Sequence, residues 1–353
     1  MSEIAFANPP PNKKAYLREI FYCTNRPPAS KSDKLSADCI HYSNNRAEPN
    51  VTASSKNGFM NYGRVQVAFP ARNTNDIVSK WQADRILEIT ELNVDLREPA
   101  KVFFGEYSNF KDQGIRDIVK SLNNCSSILL YVPGTNTSFW DGILAASTIA
   151  DDVGFEGTVC TYSWPSYKEE SKYQADVSAA HSSSVKLATY ISNLITVLVN
   201  AKSVYESEAP GNCKIQLCSH SLGSSCLLDA LMIVSMCDGE RAKKYIGNIA
   251  FFLPDIDLED YNQKMRLAQN IIDKIIIYSS RSANYLTISN KHHIHTRLGA
   301  CPTGYVNVMY GDVIHCGKFY DNYIPGSTTG KFSILANDRL CNEMRSFISH
   351  QSP

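Results

Sequence analysis

From about Phe110 onward the chain alternates short apolar runs with longer amphipathic segments, and few folds accommodate that rhythm. Parallel strands cannot be joined by tight turns, so strand-length runs separated by helix-length segments imply a parallel sheet flanked by its own crossover helices. The strand candidates are 127–132, 158–163, 214–218, 248–253, 274–278 and 305–310. The helix candidates are 138–153, 169–200, 221–236, 258–272 and 283–290, with 337–349 closing the chain. The first hundred residues lack helical periodicity and carry strand-like runs at 19–23, 64–69 and 86–94 between loops rich in Pro, Asn and Ser. No repeat or low-complexity tract divides the two parts. The expected organisation is a flexible segment over 1–18 and one α/β domain over 19–353, whose amino-terminal strand extension runs to about 105 and adds to the sheet or packs on its edge.

Composition narrows the partners. With Lys+Arg and Asp+Glu both at 35, no net field draws the chain to nucleic acid or to an anionic membrane. The longest apolar runs, such as 249–253, and others like 275–278 fall far short of the roughly 18 residues of a membrane span, so no transmembrane segment is expected. Pro9, Pro10 and Pro11 with Lys13 and Lys14 stand where a secretory signal would be apolar. The eleven cysteines include no Cys-x-x-Cys pair, and Cys160, Cys218 and Cys226 lie inside apolar runs. Buried reduced thiols and a cytoplasmic location are expected.

The strongest chemical signal is Lys214-Ile-Gln-Leu-Cys-Ser219-His-Ser221-Leu-Gly223, an apolar run ending in a small-x-Ser-x-Gly pattern and followed at once by a helical stretch. A nucleophilic serine on a sharp strand-to-helix turn needs small residues two before and two after it, which Ser219 and Gly223 supply. Ser221 is then the candidate nucleophile, with the Leu222 N–H as one oxyanion donor at the helix start. The plain alternative is a Ser-Gly helix start. A second donor would come from the turn after an earlier strand, where Gly134 lets the backbone approach the substrate and the Thr135 N–H points into the site. Equally, that turn is a simple strand-helix link with Ser138 as N-cap.

Together, Phe21-Tyr-Cys-Thr-Asn-Arg26, Tyr62-Gly63, Val132-Pro-Gly-Thr-Asn136 with Ser138-Phe139 and Asp141, Ser163-Trp-Pro-Ser166, Tyr173 with Asp176, Ser219-His-Ser-Leu-Gly223, Pro254-Asp-Ile-Asp257 and Arg297-Leu-Gly299 form a specific set. The chain resembles, over about 19–322, a largely uncharacterised bacterial branch of the α/β-hydrolase superfamily. The resemblance implies a doubly wound, mostly parallel sheet with helices on both faces and a serine nucleophile.

Triad partners in that superfamily follow the nucleophile in the order acid, then histidine. His315 stands just after the last strand candidate, and His315-Cys-Gly-Lys318-Phe319 resembles the His-Ser-Lys-Phe stretch closing the family's domain, with one extra residue. It is the expected general base. Where the family commonly has its acid, after Tyr278-Ser-Ser280, this chain has Ala283. An aspartate after the preceding strand serves in lipase-like members, which makes Asp255 the expected acid and Asp257 the second choice, although either could instead cap the helix from 258. Pro133 is a further departure, because the family usually has His before that glycine. His292, His293 and His295 cluster, but without a helical His-x-x-x-His spacing or a carboxylate pair they read as a solvated loop, and no metal or cofactor is expected. Trp140, Trp164, Tyr167 and Tyr173 either shape an acyl pocket or pack the core.

The expected activity is hydrolysis of a carboxylic ester, with amides and thioesters also within the chemistry, on a small-molecule or lipid-like acyl substrate through an acyl-enzyme. The alternative is a hydrolase fold without turnover that serves as a binding or interaction module.

Overall fold

The computed structural model describes residues 16–27, 42–43, 60–69, 85–91, 118, 121, 127–204, 213–280, 286, 289, 292, 295–300, 308–316 and 338–349. Nine strands run in chain order as β1 Tyr16–Thr24, β2 Asn61–Phe69, β3 Arg85–Glu91, β4 Ser127–Val132, β5 Thr158–Ser163, β6 Lys214–His220, β7 Ile246–Phe252, β8 Ile275–Ser279 and β9 Asp312–His315. They join one sheet in the lateral order β3-β2-β1-β5-β4-β6-β7-β8-β9. The pairs β1–β2 and β2–β3 are antiparallel, and every other pair is parallel. The amino-terminal strands therefore continue the sheet.

Among the described residues five α-helices cover it: α1 Phe139–Asp152, α2 Tyr173–Val204, α3 Leu222–Tyr245, α4 Leu258–Ala268 and α5 Asp338–Ser349. Central strands of such a sheet are buried on both faces, which is why β4 and β5 read as unbroken runs rather than alternating ones. Successive side chains still point to opposite faces. Ile128, Leu130 and Val132 pack with residues of α2, α3 and α4, whereas Leu129 and Tyr131 pack with residues of α1 and α5. The doubly wound arrangement expected from the sequence is thus observed, and it puts the carboxyl ends of all the parallel strands along one rim.

Helix α3 carries the apolar content expected of a core helix. Among the described residues it alone is long and apolar enough to cross a membrane by length and composition, and 56% of its most apolar window is buried in the protein.

The last strand departs from expectation. Of the run 305–310, residues 308–310 are not a strand, 305–307 lie outside the described residues, and β9 begins at Asp312. Val308 and Tyr310 pack instead in the core on the α2, α3 and α4 face, and the Tyr310 carbonyl accepts a hydrogen bond from the Tyr261 hydroxyl at 2.8 Å. Gly311, at φ 91°, then turns the chain so that Val313 and Ile314 pair with Ile277 and Tyr278. Of the helix expected over 283–290, only Leu286 and Ser289 are described, and the segment 1–15 lies outside the described residues.

Candidate active site

Ser221 sits between the last residue of β6 and the first of α3 with φ 49° and ψ −126°, a conformation that costs about 1–3 kcal/mol in a residue bearing a side chain. Its surroundings hold it there. The Ser221 N–H donates to the Phe252 carbonyl at 3.0 Å, and its own carbonyl accepts from Asp255 and Ser224 N–H groups, both at 3.0 Å. A Cβ on Gly223 would run into the Pro133 carbonyl, so the turn closes only with glycine there. Ser219 carries more bulk than the glycine usual at its position, yet its hydroxyl is buried and bonded to the Ser224 hydroxyl at 2.9 Å. Leu222 opens α3, and a first-turn N–H has no acceptor within its own helix.

The turn after β4 lies directly against this elbow. A Cβ on Gly134 would stand 2.9 Å from both Ser221 Cβ and His220 Nδ1. The Pro133 carbonyl is fixed by the Trp164 indole N–H at 2.7 Å, so Trp164 is a core strut here. Thr135 and Asn136 are held by one carboxylate: Asp176 Oδ2 accepts from the Thr135 hydroxyl, from the Asn136 N–H at 3.4 Å and from the Ser166 hydroxyl at 2.8 Å, while Oδ1 accepts from the Tyr167 N–H at 2.7 Å. Burial pushes the Asp176 carboxyl above its ordinary value, against the opposing pull of these four donors. Asn136 adopts φ 53°, which asparagine tolerates better than most residues. Beyond it the fully buried Arg26 of the β1 end donates to the Thr137 carbonyl at 2.7 Å, the Ser166 carbonyl at 3.2 Å, the Ser43 carbonyl at 3.3 Å and the Ser163 hydroxyl at 2.9 Å. Ser138 caps α1 in a capping box with Asp141.

The expected acid is engaged elsewhere. Asp255 is buried, and its carboxylate accepts from Arg297 Nε at 2.6 Å, from the Ser289 hydroxyl at 2.5 Å and from the Tyr173 hydroxyl at 2.8 Å. His315 is not among its partners. A buried carboxylate needs a countercharge, and the chain supplies Arg297 from the turn beside it, where Arg297 also donates to the Asp255 carbonyl at 2.7 Å. Asp257 caps α4, accepting from the Glu259 and Asp260 N–H groups. Burial and the neighbouring Asp255 carboxylate raise the Tyr173 phenol well above its ordinary value, so it acts as a donor.

The expected base also lies away from the serine. His315 is the last residue of β9, the edge strand, and its Nδ1 is 2.9 Å from the Ser279 hydroxyl of β8. Strands β7 and β8 lie between β6, which leads into Ser221, and β9. Among the described residues no hydrogen bond joins Ser221 to His315. The expectation put His315 just after the last strand; in the structure it is that strand's final residue and pairs with Ser279 of β8. Of the 292–295 histidines, His293 lies outside the described residues, His295 is exposed, and His292 stacks on the Tyr173 ring with centroids 5.4 Å apart. Among the described residues no three His, Cys, Asp or Glu side chains group to hold a metal ion. Trp140 packs edge-on against Phe139, and Tyr167 lies under the Lys172 ammonium at 4.9 Å.

Sequence reasoning assigned no role to Asp176, Arg297 or Ser279. The first two stood within quoted motifs, Tyr173 with Asp176 and Arg297-Leu-Gly299, and that is the signal that could have marked them.

A family model described as "Alpha/beta hydrolase of unknown function (DUF900)" matches residues 110–308. No curated protein matches the chain. Among solved structures, the FE-lacking apo form of ESTFA is 15% identical with a TM-score of 0.32, over 65% of this chain and 77% of that one. Aspergillus fumigatus lipase B is 12% identical with a TM-score of 0.35, over 70% of this chain and 60% of that one. An esterase from the bacterial hormone-sensitive lipase (HSL) family is 13% identical with a TM-score of 0.33, over 64% of this chain and 77% of that one.

Proposed function

Because the chain belongs to the alpha/beta hydrolases of unknown function (DUF900), we propose that it is a serine hydrolase cleaving carboxylic esters, with amides and thioesters as further acyl substrates. The observation carrying this reading is the backbone of Ser221. A serine held at φ 49° by three hydrogen bonds, between a strand and a 24-residue helix, is strain kept where a nucleophile needs it.

In this reading Ser221 Oγ adds to the acyl carbon while an imidazole takes its proton. The Leu222 and Thr135 N–H groups, with Gly134 making room, hold the oxyanion. Collapse of the tetrahedral adduct expels the alkoxide, which leaves with the same proton, and water then releases the acyl group from Ser221 by the reverse sequence. We assign the imidazole to His292. It rests on Tyr173, which bonds Asp255, whose N–H bonds the Ser221 carbonyl. Asp255, committed to Arg297, anchors this group of residues instead of completing a triad.

A second reading is favoured by the same placements: with Asp255 paired to Arg297 and His315 on the edge strand, the fold serves as a binding module without turnover. A fluorophosphonate probe separates the two. The hydrolase reading requires labelling of wild type at Ser221 and none of Ser221→Ala; folded wild type that stays unlabelled beside a reacting control enzyme rejects it. A cytoplasmic location is part of the proposal, in keeping with buried thiols such as Cys160, which burial pushes up to about 12.

A further inference from the structure

The turn after β4 has an internal tie, the Thr137 hydroxyl donating to the Thr135 carbonyl at 3.0 Å. Between the end of β4 and the start of α1 lie Pro133, Gly134, Thr135, Asn136, Thr137 and Ser138, and two of these, Gly134 and Asn136, lack the conformational restriction or sit in a conformation that most residues avoid. At Thr135 and Asn136 what fixes the turn is a side chain from another element. Asp176, one turn into α2, is fully buried, and its two oxygens take the Thr135 hydroxyl, the Asn136 N–H, the Ser166 hydroxyl and the Tyr167 N–H. Two of these donors belong to the turn after β4 and two to the turn after β5, so a single carboxylate ties the loop packed against Ser221 to the next loop along the rim. The turns are further laced by the Thr137 N–H donating to the Ser166 hydroxyl at 3.3 Å.

We infer that Asp176 is a positioning residue for catalysis: by holding Thr135 and Asn136 it aims the Thr135 N–H at the developing oxyanion without itself touching substrate. This rests on the oxyanion role proposed above for Thr135. An oxyanion donor acts only when it is fixed before the charge develops, so loosening the turn weakens binding of the tetrahedral state and leaves ground-state binding nearly intact. Asp176→Asn keeps the volume but replaces one acceptor oxygen with an N–H donor facing other donors. Asp176→Ala removes both acceptor oxygens and leaves all four donors without them.

Two measurements test this on the full chain. The first is amide hydrogen exchange, which reads the pinning directly: Asn136 and Tyr167 amides lose protection in Asp176→Asn while the amides of β4 and β5 keep theirs. Unchanged protection at those two amides overturns the inference whatever the activity. The second is steady-state ester hydrolysis normalised to the fluorophosphonate-reactive fraction. For both variants kcat falls by about 10²-fold or more with KM within about threefold, and affinity for a boronate tetrahedral mimic falls in step with kcat/KM. A purely structural Asp176 lowers the reactive fraction and leaves kcat per reactive site unchanged, which overturns the inference. If exchange rises as stated but wild type is never labelled at Ser221, the hydrolase reading has failed, and the catalytic role of Asp176 falls with it while the pin itself stands.

Discussion

Gly134 and Ser221 approach so closely that a methyl group on the glycine would stand 2.9 Å from the serine Cβ, nearer than side-chain carbons come in folded proteins. The turn after β4 and the elbow are thus one packed unit. Gly134→Ala should push the turn off Ser221, cutting kcat by about 10²-fold, comparable to losing one oxyanion donor, for a stability cost of about 1–3 kcal/mol. Turnover per labelled site together with a thermal melt checks this; an unchanged kcat in a folded variant would show that the turn plays no part in the reaction.

The Asp255–Arg297 pair should behave as a structural unit. Arg297→Met strands a buried carboxylate and should cost about 3–5 kcal/mol in urea denaturation, whereas the double variant Asp255→Asn/Arg297→Met recovers most of the loss. Asp255→Asn alone should lower turnover per folded molecule by less than tenfold. A drop of about 10⁴ with the fold intact would restore Asp255 as the triad acid.

The two imidazoles can be told apart by substitution. His292→Ala should slow fluorophosphonate labelling and ester hydrolysis by about 10²–10⁴, the range for losing a general base, and His315→Ala should leave both within a few-fold. The opposite pattern would return the base to β9 and require the strand to leave its place beside Ser279 during turnover.

Asp176 also gives stability a pH dependence of definite sign. A carboxyl whose folded pKa lies above its unfolded one binds its proton more tightly in the folded chain. Stability from this group is therefore greatest at low pH and declines as pH rises from about 4 through the higher folded value. Wild type should lose stability relative to Asp176→Asn over that window, measured by urea unfolding at several pH values; a difference that grows in wild type's favour with rising pH contradicts the shift.

The strands that could be read from sequence were those whose signal is local. Ser127–Val132 and Thr158–Ser163 are buried on both faces, so their apolar runs have the bounds of the strands themselves. The elbow was legible for the same reason, because strand, small residues, serine and helix are contiguous. What sequence order could not show is lateral order. His315 follows Ser221 in the chain as a base should, but the sheet sets β7 and β8 between them. Likewise Asp255 occupies the right place after β7, while the arginine that claims it arrives 42 residues later. The 305–310 run misled because Val308 and Tyr310 alternate as well as any strand, whereas the ladder with β8 starts at Asp312 and the Tyr310 carbonyl accepts from the Tyr261 hydroxyl instead.

Arg26 lies outside the region the family model matches, yet its guanidinium grips the carbonyls of Thr137 and Ser166, the far ends of the two loops that Asp176 joins. A minimal enzyme trimmed to residues 110–308 would therefore leave those carbonyls unanswered in the interior and β5 with a bare edge where β1 had paired. Strands β1 and β2, with Arg26, thus close this side of the sheet, and a clone that begins after them should be expected to aggregate before it can be assayed.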